Sequence, residues 1–183
     1  MIFSKTEIEG VYVIELEPFQ DERGFFSRIF CEKEFGQAGL VSDFVQVNHS
    51  TSRYKGTIRG LHFQLPPHSE VKVLRCVRGS LYDVIVDIRK NSLTFLEHFK
   101  IELSESNNRM LYIPTGFAHG FQTLSDNTSL IYFHSDFYHP SAEKGLKYND
   151  PRLSIEWPLP VSQISKKDQE HNYLSQDYQG IEI

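Results

Sequence analysis

The chain has 183 residues, of which 39% are hydrophobic and 13% aromatic, enough for one domain with a sizeable core and too many for a disordered chain. The formal net charge is −5, and no cluster of lysine and arginine predicts a nucleic-acid surface. No apolar run approaches membrane-spanning length, and charge enters the first seven residues too early for a signal peptide. We therefore expect residues 1–183 to form a single cytoplasmic domain without a membrane or nucleic-acid partner.

The first part of the chain reads as short strands between turn signals. Alternating or β-branched runs predict strands over residues 11–16, 44–49, 56–64 and 70–77. Asp21–Gly24 is a turn signal, and Glu32–Ala38 is predicted as a short helix closed by Gly39. Cys31 and Cys76 lie in no paired motif, so we expect reduced thiols.

The second part continues in the same way. Strands are predicted over residues 81–88, 95–103, 110–113, 121–124 and 129–135. Arg78–Ser80 is predicted as a hairpin turn, and Ser165 as the start of a short C-terminal helix. Asp83 and Asp87 are expected on a solvated or strand-pairing face. About ten short strands with little helix predict an all-β sandwich or barrel.

Polar side chains interrupt the apolar pattern in two of the predicted strands. In the strand at 56–64, alternation places Arg59 and His62 on opposite faces, and Gly60 marks either a bulge or a close backbone approach. Gln46 and Asn48 share one face of their strand, which indicates polar ligand contacts or an exposed edge. Taken alone, His62 is more typical of a core histidine than of a catalytic group.

Two local patterns resemble the signature motifs of the cupin superfamily. The first comprises Gly56, His62, Gln64, Glu70 and Gly79, and the second Pro114, Gly116 and His119. The resemblance implies a jelly-roll barrel, the double-stranded β-helix. Metal-binding cupins carry a second histidine where this chain has Gln64, a poor transition-metal ligand. A metal-dependent cupin using His62, His119 and Glu70 stays open as an alternative, although the cation of Lys72 would lie nearby.

Nearly the whole chain resembles one metal-free cupin family, the dTDP-4-dehydrorhamnose 3,5-epimerases. The matching segments appear in the family's order: Asp21–Phe26, Gln46–Asn48, Arg59–Gln64, Lys72, Asp83–Asp87, Pro114–Phe121, Tyr132, Tyr138, Glu143, Asn149–Pro151 and Ser165–Asp168. Each segment is weak alone, but so many in one order form a strong signal. The activity implied is epimerisation of a nucleotide-linked 4-keto-6-deoxyhexose at C3 and C5, converting dTDP-4-dehydro-6-deoxy-D-glucose to dTDP-4-dehydro-L-rhamnose without metal or cofactor.

The resemblance also implies roles for five residues at the sugar. His62 would remove the proton, and Asp168 would orient its ring. Tyr132 would return a proton from the opposite face, Lys72 would stabilise the enolate oxygen, and His119 would hold the sugar. Removing a hydrogen beside the C4 ketone gives an enolate, and a histidine that titrates near neutral pH suits this task. The chain has no dinucleotide-binding or phosphate-binding glycine motif.

Further residues are implied in nucleotide binding. They are Arg23, Phe26, Gln46, Asn48, Arg59, Tyr138, Glu143 and Lys167. Phe26 and Tyr138 would stack on the base, and the cations would meet the diphosphate. The family's homodimers exchange an N-terminal stretch, so the residues from Arg23 to Arg59 in this set would serve the neighbouring subunit.

Two departures from the family pattern leave other functions open. Arg28 stands where thymidine-specific members often have a glutamate, and an arginine is no hydrogen-bond acceptor. Tyr132–Ser135 also differs from the usual Tyr-Lys-x-Thr. The alternatives are an epimerase acting only at C3 or C5 of another deoxysugar nucleotide, and a catalytically silent sugar-binding cupin.

Overall fold

The computed structural model describes residues 1–183 as two large, mainly antiparallel sheets that face each other. In spatial order, the first sheet contains β1 (Ile2–Lys5), β2 (Tyr12–Glu15), β10 (Arg109–Ile113), β7 (Lys72–Arg78), β12 (Thr128–His134) and β5 (Gln46–Ser52). The second contains β13 (Glu143–Gly145), β6 (Thr57–Gln64), β11 (Phe117–Thr123), β8 (Ser80–Asp87) and β9 (His98–Ser104), with β14 (Gln163–Ile164) parallel to β6. The predicted all-β jelly roll is confirmed.

The remaining elements are small. A separate hairpin pairs β3 (Phe19–Asp21) with β4 (Gly24–Phe26), which confirms the turn predicted between them. Both predicted helices are present, as α1 (Glu32–Gln37) and α2 (Lys166–Glu170). Both cysteines are free, as expected. Neither helix has the length and apolar character needed to span a bilayer.

Two predictions about connections were wrong. The turn at Arg78–Ser80 does not close a hairpin, because β7 pairs with β10 and β12 while β8 pairs with β9 and β11. Gly79, at a φ of 74°, instead carries the chain from one sheet to the other. The strand predicted over residues 121–124 also starts too late, because β11 begins at Phe117 and gives His119 a fixed strand position.

The main core fills the space between the sheets. Its largest cluster joins Leu74 and Leu130 of the first sheet to Ile85, Leu103 and other residues of the second. Each outer face has its own apolar cover. The cover of the first sheet includes Phe35 of α1, fully buried, and that of the second includes Leu146 and Leu153 of the C-terminal segment. Beside this core, polar residues that include His62, Lys72 and His119 line a cavity between the sheets.

An irregularity in β6 changes which side chains share a face. His62 pairs with His119, but Arg59 pairs with Phe121, so β6 carries one residue more than β11 between these positions. A β-bulge of this kind breaks the two-residue alternation. Arg59 and His62 consequently line the same cavity, and the prediction that they lie on opposite faces was wrong.

Gly60 permits the bulge. Its φ is 108°, and a Cβ there would lie 2.6 Å from the His119 carbonyl oxygen and 2.7 Å from the Gly120 Cα atom. Both neighbours are backbone atoms, so they cannot turn aside as a side chain would. The bulge and the close backbone approach, offered as alternatives from the sequence, occur together.

Asp83 and Asp87 are fully buried, which excludes the solvated face offered as one of the two alternatives for them. The Asp87 carboxylate accepts hydrogen bonds from Arg89, Ser92 and Thr94 at 2.6–3.0 Å. Burial alone raises the pKa of Asp87, but these donors outweigh it and leave the pKa below its ordinary value. Asp87 therefore organises the loop after β8, while Asp83 faces the cavity side of the sheet.

The substitution Gly60→Ala is expected to lower the free energy of unfolding by about 2–4 kcal/mol, because it combines a positive φ with a backbone clash. Gly36→Ala in α1 is the control, since a Cβ there meets nothing within 4 Å and alanine is the better helix former. Urea unfolding of both variants measures the difference. Equal stability of the two would contradict this account of Gly60.

Candidate active site

A cavity of about 480 Å³ opens between the sheets beside the main core. Leu74 and Phe121 belong both to the core cluster and to the cavity wall, so the site rests directly on packed apolar residues. Five residues with predicted roles at the sugar line it together: His62, Lys72, His119, Tyr132 and Asp168. Arg59 and Lys167, predicted to bind the nucleotide, line it as well.

His62 and Asp168 form a hydrogen-bonded pair although 105 residues separate them along the chain. The His62 Nε2 atom lies 2.7 Å from Asp168 Oδ1. Since an ionised carboxylate only accepts hydrogen bonds, Nε2 is the donor and the Nδ1 lone pair is free to act as a base. His62 is about one third exposed and Asp168 is buried, so the imidazole is accessible while its partner is enclosed.

The local fold of α2 holds Asp168 in place. Ser165 caps the helix, and its hydroxyl oxygen accepts a hydrogen bond from the Asp168 amide at 3.0 Å. The Gly60 amide donates to Asp168 Oδ2 at 3.3 Å, which ties the carboxylate to the bulge in β6. Burial alone raises the pKa of Asp168, but His62 and these donors outweigh it and leave the pKa below its ordinary value.

A second histidine–aspartate pair lies beside the first. The His119 Nε2 atom is 3.0 Å from Asp83 Oδ2, and both residues are buried. His119 is the cross-strand partner of His62, so the two imidazoles stand next to each other at the cavity wall. Asp83 was missed as a site residue because its neighbours in sequence are apolar and its partner is 36 positions away.

Lys72 enters the cavity from the opposite sheet as part of a buried polar chain. Its Nζ atom lies 3.2 Å from Glu70, whose other oxygen is 2.7 Å from His134 Nδ1. Asn48 in turn lies 3.2 Å from His134 Nε2. Glu70 occupies one of the three hydrogen-bond donor positions of the ammonium, so Lys72 keeps donors for a ligand. His134 was missed as a site residue, because it lies at the variable position of the Tyr-Lys-x-Thr pattern and meets Glu70 only in the folded chain.

Tyr132 also lies on the first sheet and so faces the cavity from the side opposite His62. Its partner across the strands is Asn48, whose side chain and that of Gln46 are half-buried while Val47 is exposed. Gln46 and Asn48 share one face of β5, as predicted. Burial raises the pKa of the Tyr132 phenol, with a smaller lowering contribution from the charge of Arg59, so the hydroxyl keeps its proton at neutral pH.

Three of the predicted nucleotide-binding residues contact one another beside the cavity, where Tyr138 and Glu143 line an adjoining space that His62 and Tyr132 also border. Tyr138 Oη donates to Glu143 at 2.6 Å, and the Lys167 ammonium pairs with the same carboxylate. Burial alone raises the pKa of Glu143. Hydrogen bonds from Lys167 and Tyr138 lower it by more, so the pKa lies below its ordinary value. Arg59 donates to the Ser52 hydroxyl at 3.0 Å.

Arg23 and Phe26 are not brought to this cavity within the chain. They lie on the β3–β4 hairpin, where the Arg23 side chain is 86% exposed and Phe26 is 71% exposed. Arg23 contacts only its near neighbour Asp21, at 2.6 Å. The hairpin therefore presents a cation and aromatic rings to the outside of the protomer.

The residues of the metal-dependent alternative are engaged elsewhere. His119 pairs with Asp83, and Glu70 pairs with Lys72 and His134. Gln64, at the position of the missing histidine, is buried. Its amide nitrogen donates to the carbonyl oxygens of residues 68 and 137, and its amide oxygen accepts from the amide of residue 139. Gln64 thus joins two loops rather than completing a metal site with His62.

The fold and the site together define a jelly-roll protein equipped for acid–base chemistry, with a histidine–aspartate pair on one sheet and a protonated tyrosine on the other. The family model for dTDP-4-dehydrorhamnose 3,5-epimerase matches residues 5–176. The epimerase of Shigella flexneri is 47% identical over 165 residues, covering 90% of this chain and 91% of the relative. The chain therefore belongs to the dTDP-4-dehydrorhamnose 3,5-epimerase family.

Solved structures agree with this assignment. The dTDP-4-dehydrorhamnose 3,5-epimerase of Elizabethkingia anophelis is 40% identical, with a TM-score of 0.91 over 97% of this chain and 98% of the other. The dTDP-6-deoxy-D-glucose-3,5-epimerase of Legionella pneumophila, solved with dTDP-4-keto-L-rhamnose, is 40% identical. Its TM-score is 0.89 over 94% of this chain and 92% of the other.

The depressed pKa of Asp168 predicts a pH-dependent contribution to stability. Because the pKa is lower in the folded state, the contribution is present above the ordinary value of 3.8 and is lost as the pH falls through the folded value. Asp168→Asn is expected to lower the free energy of unfolding by about 1.5–3 kcal/mol at neutral pH, and by less below pH 3.8. Denaturant titrations at neutral pH and below pH 3.8 measure the two differences in the free energy of unfolding. Asp43→Asn, at an exposed position, is the control. A deficit that is the same at both pH values would contradict the prediction.

Proposed function

We propose that the protein epimerises dTDP-4-dehydro-6-deoxy-D-glucose at C3 and C5 to give dTDP-4-dehydro-L-rhamnose. The observation that carries the proposal is the placement of a base, His62, and an acid, Tyr132, on opposite sheets with a substrate-sized cavity between them. Inverting a carbon centre requires a proton to leave one face and another to arrive on the opposite face. The relatives that bear this activity in their names support the same conclusion.

In the proposed step, His62 Nδ1 takes the proton beside the C4 ketone. The electron pair of the broken C–H bond forms a carbon–carbon double bond, and the carbonyl π pair moves onto O4. Lys72 donates to the oxygen as it becomes negative, a contribution worth about 3–4 kcal/mol by analogy with a lost oxyanion-hole donor. Tyr132 then delivers its proton to the opposite face of the carbon, and exchange with solvent restores both groups.

Asp168 acts on this step by holding the donor nitrogen of His62. The 2.7 Å hydrogen bond fixes the tautomer that leaves Nδ1 free, and the carboxylate stabilises the imidazolium formed when the proton is taken. His119, held by Asp83, is proposed to bind the sugar beside the reacting carbon. No redox step occurs, since the substrate and the product are stereoisomers.

We propose that the protein works as a homodimer in which the β3–β4 hairpin completes the partner's nucleotide site. Phe19, Phe25 and Phe26 are 60–78% exposed, an unusual aromatic surface for a free hairpin, and Arg23 adds a charge suited to a diphosphate. These hairpin side chains would meet a dTDP group that Arg59, Tyr138 and Lys167 hold from the catalytic protomer, and Gln46 and Asn48 lie beside Tyr138 and His62 in that same protomer. The reduced cysteines fit the cytoplasmic location that we expect.

Arg28 need not read the base for this proposal to hold. Its guanidinium lies 2.7 Å from Glu34, which also binds the N-terminal ammonium at 3.0 Å. Arg28 is thus engaged by α1 of its own protomer, and discrimination of thymine is left to other groups.

Deuterium incorporation tests the assigned roles. In D₂O with dTDP-4-dehydro-6-deoxy-D-glucose, wild type is expected to place deuterium at both C3 and C5. His62→Ala is expected to slow exchange and inversion alike by about 10²- to 10⁴-fold. Tyr132→Phe should lose inversion more than exchange, since the base still removes a proton and can return deuterium to the same face. NMR of the sugar signals measures both rates.

Tyr82→Phe, whose ring packs on Trp157 outside the cavity, is the control for the tyrosine variant. Exchange at one carbon only would narrow the activity to a single-carbon epimerase. Bound dTDP-sugar without any exchange in folded wild type would identify a sugar-binding protein and reject the catalytic roles.

Complementation tests the shared site. A double variant, Arg23→Ala with Phe26→Ala, and the single variant His62→Ala are each expected to be nearly inactive. After the two are unfolded and refolded together, half of the dimers should be mixed, each with one intact site, so about a quarter of wild-type activity should return. If each hairpin served its own protomer, mixing would restore nothing.

A further inference from the structure

A second histidine, His171, stands beside the catalytic pair. Its side chain is 16% exposed, and its Nε2 atom is buried without a hydrogen-bond partner. That atom lies 3.9 Å from Asp168 Oδ1, the same oxygen that accepts from His62. The rings of His62 and His171 lie 6.2 Å apart at an interplanar angle of 75°. Neither the fold nor the proposed reaction accounts for this arrangement.

The position of His171 is built into the surrounding structure. A Cβ on Gly145 would lie 2.1 Å from His171 Nε2, so the imidazole occupies the space that a side chain at Gly145 would need. The Lys147 ammonium donates to the His171 carbonyl oxygen at 3.2 Å and fixes the backbone just after α2. The imidazole is therefore held against Asp168 by neighbouring elements on two sides.

We propose that His62, Asp168 and His171 form a binding site for Zn²⁺ or a similar transition-metal ion, and that its occupation switches the base off. Imidazole nitrogen and carboxylate oxygen are ordinary zinc ligands, and three of them with an open fourth position form a familiar site. The three ligand atoms lie within 4.8 Å of one another. The binding part is independent of the proposed function, and the inhibition part depends on it.

The geometry fits such an ion with small adjustments. The point equidistant from three atoms with these separations lies roughly 2.0–2.4 Å from each, close to the ~2.0–2.2 Å of zinc bonds to nitrogen and carboxylate oxygen. The ion would take the place of the hydrogen between His62 and Asp168, and that proton would move through solvent to Nδ1 of the same ring, which stays neutral. His62 lines the cavity, which provides the entry path.

A metal ion bound to His62 would prevent the imidazole from acting as a base. A neutral imidazole that coordinates a metal through Nε2 carries its one hydrogen on Nδ1. The Nδ1 lone pair that should take the proton from the sugar is then absent. The metal acts here as an inhibitor, and the protein's own turnover needs none of it.

The chain contains another group with the same ligand types, which serves as a control. His68, Asp136 and His139 have ligand atoms equally close together. The rings of His68 and His139, however, are stacked with centroids 3.5 Å apart and an interplanar angle of 22°. Lone pairs lie in the ring planes, so those of nearly parallel stacked rings do not converge on one point. We therefore assign the site to His171 and not to His68.

Competition with a zinc-binding dye at neutral pH tests the binding. Wild type is expected to hold one Zn²⁺ per chain, His171→Asn to bind about tenfold or more weakly, and His68→Asn to match wild type. Zinc should also inhibit wild-type epimerisation reversibly, with recovery after a chelator is added. His171→Asn should keep basal turnover and resist zinc.

The outcomes separate the two claims. Equal zinc affinity of wild type and His171→Asn, or loss of binding only in His68→Asn, would overturn the site. Zinc held through His171 in a protein without epimerase activity would keep the site and reject the proposed function. If thermal unfolding shows that His171→Asn is misfolded, His171→Gln provides the same loss of the ligand nitrogen in a longer amide side chain.

Discussion

The close approach of two backbones at Gly60 is the constraint on which the site depends. Because no Cβ stands between β6 and β11, the strands can pair tightly through a bulge, and the bulge turns Arg59 and His62 toward the same cavity. The amide of Gly60 then donates to Asp168, so one residue sets both the direction of His62 and the position of Asp168. A regular strand would have sent either Arg59 or His62 to the other face.

Around that point, the charges inside the barrel occur in matched groups. Asp168 faces His62, Asp83 faces His119, and Glu70 lies between Lys72 and His134. Each of these three carboxylates has an imidazole or an ammonium as its partner, because an isolated buried charge would be too costly. In His62 and His119 the pairing engages Nε2 and leaves Nδ1 free, and in Lys72 it leaves hydrogen-bond donors of the ammonium free. These groups can therefore contact a ligand in the cavity. Stability and reactivity therefore depend on the same contacts.

Short-range patterns in the sequence were enough for most of the fold and for part of the site. Alternation located the strands, Ser165 marked the start of α2, and Gly60 was recognised as a position of special backbone geometry. The shared face of Gln46 and Asn48 also followed from alternation alone. These features succeed because each depends on neighbours within a few residues.

The remaining features depend on pairings across the barrel. Asp83 reads as a surface residue until β8 is placed beside β11, and Arg59 reads as opposite to His62 until the bulge is located. His171 shows no signal in its own segment, since its neighbours Asp168 and Gly145 meet it only in the folded chain. The family resemblance supplied His62 and Asp168 as a pair. The groups that surround them could be identified only from the folded structure.

The order of elements along the chain separates the strands that enclose the cavity from the carboxylate that pairs with His62. All strands of the two sheets except the short β14 are complete by Gly145, yet Asp168 and its capping serine come later, on a segment that docks against β6. The imidazole of His62 therefore belongs to the barrel, whereas the carboxylate that accepts its Nε2 hydrogen belongs to the tail that follows. Substitutions in the tail can change the surroundings of His62 without altering the strands that enclose the cavity.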